Sequence, residues 1–207
     1  RAAADAGLLS PANAWEKLTV DGAPAASFAF DAGTLTVSAD GAVAFVYREV
    51  NNVAPARVTW RWRVDNGIEA TDPTAKGSDD RPLAVHLWFD TGNREETLYG
   101  ATARMLGYPT VTHAITYVWG ATQPARTVLP NPYFVRGRIF VLRQSAAASS
   151  DWIRETRDLA ADLRRAFGDR VQPADLAYVV VSADTDDQGG QSRARITDLR
   201  WRHDIRE

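Results

Sequence analysis

Short segments whose apolar residues alternate with polar ones, closed off by Asp, Asn and Gly, recur along almost the whole chain. A side-chain period of two belongs to a half-buried β-strand, and many such segments at close spacing point to a sandwich or barrel. Candidate strands are Ala26–Phe30, Thr34–Ser38, Val43–Glu49, Arg57–Val64, Leu83–Asp90, Thr110–Trp119, Arg126–Val128, Arg138–Arg143, Leu176–Ala183 and Ala194–Arg202. Asp31-Ala32-Gly33, Asp40-Gly41, Asp65-Asn66-Gly67 and Thr91-Gly92-Asn93 supply the residues that tolerate positive φ in tight turns.

Two segments depart from this rhythm. From Trp152 to Phe167 the residues Trp152, Thr156, Leu159, Leu163 and Phe167 recur at three- and four-residue steps, which predicts one long amphipathic helix near residues 151–167. Ser149 or Ser150 would cap its start, Arg164 and Arg165 suit its last turn, and Gly168 suits its C-terminal cap. A second, shorter helix is expected over Ser10–Leu18, with Pro11 at its first position. The expected fold is therefore all-β with one helix, an antiparallel β-sandwich of jelly-roll type forming a single domain over residues 1–207.

With 207 residues the chain is long enough to bury a full core without disulfide or metal staples, and it contains no cysteine. The 24 Lys and Arg residues against 26 Asp and Glu leave a net charge of -2, which excludes a nucleic-acid binder held by bulk charge. No apolar run reaches the roughly 20 residues of a membrane span. Almost all the basic residues are Arg, with Lys17 and Lys76 the exceptions. Nothing in the composition sets an oligomeric state.

Alternation also assigns faces. Val58, Trp60, Trp62 and Val64 oppose Arg61 and Arg63, and Leu83, Val85, Leu87 and Phe89 oppose Ala84, His86, Trp88 and Asp90. Ile115, Tyr117 and Trp119 share a face, as do Tyr178, Val180, Ser182 and Asp184. If the apolar sets form the core, the second faces gather Arg61, Arg63, His86, Trp88 and Asp184, with Tyr117 and Trp119 as possible members. Aromatic rings, guanidiniums and a carboxylate on one sheet face make a floor for a glycan or another polar small molecule. The same face is equally that of a sheet covered by a helix, a loop or a partner.

The densest acidic run is Asp184-Thr185-Asp186-Asp187-Gln188-Gly189-Gly190. Asp184, Asp186 and Asp187 are candidate ligands for a hard cation such as Ca²⁺, although the spacing is not that of the twelve-residue calcium loop. A solvated or Arg-paired acidic turn is the other reading, and no cofactor is otherwise called for. Asp79 and Asp80 precede a strand and suit either pairing with arginine or the rim of a ligand site, and Tyr133 follows an Asn131-Pro132 turn. Catalytic motifs are missing: His86, His113 and His203 form no metal-binding spacing, and there is no nucleophile elbow or phosphate loop. A glycan-cleaving pair would have to come from Asp80, Asp90, Glu155 and Asp184.

Trp60-Arg61-Trp62-Arg63-Val64, Asp79-Asp80, Tyr117-Val118-Trp119, Asn131-Pro132-Tyr133, Trp152, Arg157-Asp158-Leu159, Ala166-Phe167-Gly168 and Ser182-Ala183-Asp184-Thr185-Asp186 occur in this order. The order resembles the bacterial domain of unknown function 3047 over roughly residues 15–202. The resemblance implies a single domain made with an export signal, hence a periplasmic or secreted protein, and it implies no substrate or catalytic residue. Two departures are Arg81-Pro82 after the paired aspartates and Asp187 after the Asp-Thr-Asp triplet. On the residues themselves, the leading expectation is a non-catalytic carbohydrate-binding module. A partner-docking subunit and a glycan hydrolase or lyase are the alternatives.

Overall fold

A computed structural model describes residues 7–93, 109–145 and 147–202. It consists of two packed β-sheets and one short helix. The strands are β1 (Glu16–Thr19), β2 (Ser27–Asp31), β3 (Thr34–Asp40), β4 (Val43–Glu49), β5 (Arg57–Asn66) and β6 (Arg81–Phe89). They continue with β7 (His113–Trp119), β8 (Val128–Pro130), β9 (Gly137–Arg143), β10 (Ile153–Asp158), β11 (Leu176–Asp184) and β12 (Gln191–Arg202). The helix α1 spans Leu159–Phe167. One sheet has the order β1-β4-β11-β6-β7-β9-β8 and the other β10-β5-β12-β3-β2. Neighbouring strands are antiparallel except β7 and β9.

The core faces are those that alternation assigns. Val58, Trp60, Trp62 and Val64 of β5 meet Leu83, Val85, Leu87 and Phe89 of β6, all with no exposed surface. Between the sheets stands a wall of rings. Trp60 lies 5.4 Å from both Trp62 and Tyr117, Trp62 lies 5.5 Å from Trp119, and Tyr117 lies 5.6 Å from Phe140. Burying such rings contributes both apolar area and edge-to-face attraction, the latter about 0.5–1.5 kcal/mol per pair.

The helical expectations need correction. Residues 153–158 are a strand, and only Leu159–Phe167 is helical. The period-of-four stripe is real only from Leu159 onward, where Leu159 and Leu163 are buried. Before it, Ile153 to Asp158 pair in register with Trp62 to Arg57 of β5. The inward Glu155 carboxylate accepts from Trp62 Nε1 at 3.1 Å and from Arg143 Nε at 2.8 Å, tying β10 to β9 across the core. Sheet pairing and this partly buried tie overrule local helical propensity. The cap is accordingly Asp158, which accepts from Ala161 N at 2.9 Å, rather than Ser149 or Ser150. Gly168 closes the helix at φ 67° as expected. The Ser10–Leu18 helix is reduced to one 3-10 turn at Ala12–Ala14, and the chain then enters β1.

The helix is clamped to the seven-stranded sheet by a buried polar contact. Asp162 accepts from Tyr117 Oη at 2.8 Å and from Arg157 Nε at 2.8 Å. Substituting Tyr117→Phe leaves the ring wall intact but deprives a buried carboxylate of a donor. Urea unfolding should show a loss of about 1–3 kcal/mol, with the denaturant dependence unchanged.

Candidate functional site

The outer face of the seven-stranded sheet carries an open cavity of about 420 Å³. Its floor is built by alternation: Phe45 from β4, His86 and Trp88 from β6, and Ala114 and Thr116 from β7 all point away from the core. Trp88 is held by ring contacts with Tyr47, Phe45 and Tyr178 at 6.3–6.4 Å. Val20 from the β1–β2 connection forms part of the rim.

One wall is the connection between β8 and β9. The Asn131 side chain accepts from Tyr133 N at 2.9 Å and Phe134 N at 3.1 Å, which folds the turn on itself. Gly137 lets the turn close, because a Cβ there would stand 2.6 Å from Asn131 Cβ. Tyr133 reaches across the cavity mouth, where its hydroxyl donates to Asp79 Oδ1 at 2.9 Å and accepts from Gly77 N at 3.0 Å. Burial and the Asp79 carboxylate raise its pKa to about 12, so it stays a neutral donor.

The acidic end is made by two loops that hold each other. Asp80 is buried, and its two carboxylate oxygens accept from Asp187 N at 3.1 Å and Gln188 N at 2.9 Å. Arg81 pairs with Asp79 at 2.9 Å and with Asp184 at 3.6 Å. Carboxylate oxygens of Asp80, Asp184 and Asp186 lie within 4.8 Å of one another. Burial pushes the Asp184 carboxyl up to about 8, against the pull of Arg81 and with the help of Asp186. Such a group can hold a proton at neutral pH and offer a hydroxyl as donor, beside carboxylates that only accept.

His86 lies at the bottom of the cavity. Its Nδ1 is 3.0 Å from Thr116 Oγ1 and its Nε2 is 2.8 Å from Ser182 Oγ. Burial, followed by the charge of Arg81, lowers its pKa well below the usual value, so the ring is neutral. Ser182 has no exposed surface, which keeps this hydroxyl–imidazole pair out of reach of a ligand as a nucleophile.

The seven residues expected to form one floor fall in three places. His86, Trp88 and Asp184 line the cavity, with Asp186 and Asp187 beside them. Tyr117 and Trp119 point inward and belong to the ring wall. Arg61 and Arg63 lie on the outer face of the other sheet. As to the cation group, Asp80 stands where Asp187 was expected in the clustered trio. Asp90 and Glu155 do not join the acidic end: Asp90 accepts from Gly92 N at 2.9 Å, and Glu155 serves the core. His113 packs against Phe167, and His203 lies outside the described residues. Phe45, Asn131 and Phe134 were missed, although the alternation of Val43, Phe45 and Tyr47 carried the signal for the first.

The two titrations act in opposite directions. Native Asp184 keeps a proton that the unfolded chain releases above about pH 4, so its contribution to stability falls as pH rises toward about 8. His86, whose pKa is lowered by folding, contributes stability that is lost as pH falls below about 6.5. Asp184→Asn should therefore remove the fall between pH 5 and 8, on the order of 1 kcal/mol per pH unit, and leave the acid-side loss in place. Urea unfolding at pH 5, 6.5 and 8 measures both slopes.

No curated protein sequence matches the chain. Among solved structures, it is similar to the xyloglucanase domain of NopAA, a type three effector from Sinorhizobium fredii, with 9% identity and a TM-score of 0.46, covering 89% of this chain and 91% of that one. A structure of carbohydrate-binding modules from the β-sandwich superfamily gives 12% identity and a TM-score of 0.46, covering 91% and 56%. A family 12 xyloglucanase from Bacillus licheniformis gives 10% identity and a TM-score of 0.41, covering 89% and 84%. The model of the protein family of unknown function DUF3047 matches residues 13–200, and the chain belongs to that family.

Proposed function

We propose that the chain is a carbohydrate-binding module of jelly-roll type, one domain throughout, and that the cavity on its seven-stranded sheet takes the sugar. The carrying observation is the convergence in one open cavity of ring faces with carboxylates fixed by backbone and guanidinium partners. A sugar presents apolar C–H faces and a rim of hydroxyls. Trp88, Phe45, Tyr133 and Phe134 suit the faces, Asp79, Asp186 and Asp187 accept from the hydroxyls, and protonated Asp184 donates to one. About 420 Å³ lies within the usual range for small-ligand sites of roughly 300–1,000 Å³. The repeated passage of the chain between the sheets, as at β3–β4–β5–β6 and β10–β11–β12, supports the jelly-roll assignment. We place the activity outside the cytoplasm, in line with the family resemblance.

The raised carboxyl of Asp184 favours one second reading, a glycan hydrolase or lyase in which Asp184 is the acid and Asp186 or Asp79 the base. The two readings part on turnover. Under the binding reading, oligosaccharides of a neutral and uronic-acid panel shift the unfolding midpoint by several degrees near saturation, and reducing-end assays stay flat. Trp88→Leu keeps apolar volume but removes the ring face, and calorimetry should show at least tenfold weaker binding. Unchanged affinity in this variant would sink the cavity assignment. New reducing ends from wild type but not from Asp184→Asn would replace binding by catalysis.

A further inference from the structure

The opposite outer face, on the five-stranded sheet, has the reverse charge. Outward positions of β5, β10 and β12 carry Arg61, Arg63, Arg154, Arg195, Arg200 and Arg202. Half of this set is accounted for. Asp65 takes Arg63 at 2.7 Å and Arg195 at 2.6 Å, and the Trp152 ring lies 5.7 Å from the guanidiniums of Arg61, Arg63 and Arg195. This stack holds the upper arginines and fixes where Arg61 can reach.

Below it is a recess of about 240 Å³ framed by Thr59, Arg61, Arg154, Arg200 and Arg202, with Asp198 its one carboxylate. Asp198 is placed by a shift in register of β12 against β5 between Thr197 and Arg200, where it adopts φ 54°. It serves Arg200 at 3.0 Å and Arg61 more loosely at 3.8 Å. The Arg200 Nε is buried without a hydrogen-bond partner. Arg154 and Arg202 make no ion pair or hydrogen bond among the described residues. Among the described residues, four guanidiniums, none of which can shed its proton, thus share one carboxylate around a cavity.

We propose that this recess binds an oxyanion group, a sulfate or a phosphate, on the far side of the sandwich from the sugar cavity. Guanidinium forks match the oxygen spacing of such groups, and the anion relieves the mutual repulsion of the arginines. The site is independent of the cavity on the other sheet, and neither proposal needs the other.

The test uses the full chain in low-millimolar sodium sulfate against sodium chloride of equal ionic strength, with parallel calorimetry of dextran sulfate and uncharged dextran. Sulfate should raise the unfolding midpoint above the chloride value by a few degrees, and the difference should vanish in Arg154→Gln/Arg202→Gln. Both residues are exposed and, among the described residues, unpaired, so without sulfate the double variant should unfold at or above the wild-type midpoint. Dextran sulfate should lose at least tenfold in affinity in the same variant. Tighter binding of dextran sulfate than of inorganic sulfate, per sulfate group, supports an ester on a polymer, and equal binding supports a free ion in the same recess. A sulfate effect that equals chloride, or one that survives in the double variant, overturns the site. Trp88→Leu should leave sulfate binding unchanged, which separates this result from failure of the sugar cavity.

Discussion

The wall of rings between the two sheets is the contact on which both outer faces depend. Trp60, Trp62, Tyr117, Trp119 and Phe140 come from three strands of two sheets, and none of the five has more than a trace of exposed surface. Because side chains alternate, fixing Trp60 and Trp62 inward forces Arg61 and Arg63 outward on one sheet. Fixing Tyr117 and Trp119 inward turns Thr116 toward the cavity on the other. A slip of one residue in β5 would bury guanidiniums and expose tryptophans, so its register is strongly specified. The polar clamps on the wall, Glu155 on Trp62 and Asp162 on Tyr117, each bring in a neighbouring element, β10 or α1.

The acidic end of the cavity is ordered by a different device. Asp80 spends its carboxylate on two backbone N–H groups of the β11–β12 loop, while Asp79 engages Arg81 and Tyr133. These contacts bring five carboxylates into one region with Arg81 the single guanidinium there among the described residues. Like charges at such spacing in a partly dry site cannot all ionise freely, and Asp184, desolvated and beside Asp186, carries the consequence as a raised pKa that Arg81 only partly opposes. The neutral His86 below belongs to the same field, since the Arg81 charge adds to burial in keeping it unprotonated.

Much of this was legible in the chain, for a clear reason. A period of two states which residues share a face, and the faces of β5, β6 and β11 are as alternation assigns them, with that of β7 left open. It does not state which sheet a strand joins. Arg61 and His86 both face outward, but β5 lies in one sheet and β6 in the other, so a floor drawn from both could not form. Tyr117 was ambiguous because β7 is buried along its whole length, its inner side chains in the ring wall and Ala114 and Thr116 on the cavity floor. The failure at residues 151–158 is of another kind. Trp152 and Thr156 fit a helical stripe by spacing alone, whereas Thr156 pairs with Thr59 of β5, nearly a hundred residues away in sequence, and Trp152 precedes the strand and lies against Arg61, Arg63 and Arg195.

A net charge of -2 conceals an opposition between two faces. Carboxylates gather at the end of the cavity on one sheet, and arginines at the recess on the other, separated by the thickness of the sandwich and its apolar core. Neither group is neutralised within itself, since Arg81 is the guanidinium among the first set and Asp198 the carboxylate of the second. A fold that needed only solubility would mix the two signs on each face, where neighbouring opposite charges cost nothing. Keeping them apart leaves two fields that water and salt screen only in part, one suited to hydroxyl-rich or cationic groups and one to anions. The segregation is a cost to the folded state that the internal ion pairs, Arg81 with Asp79 and Arg200 with Asp198, offset only locally.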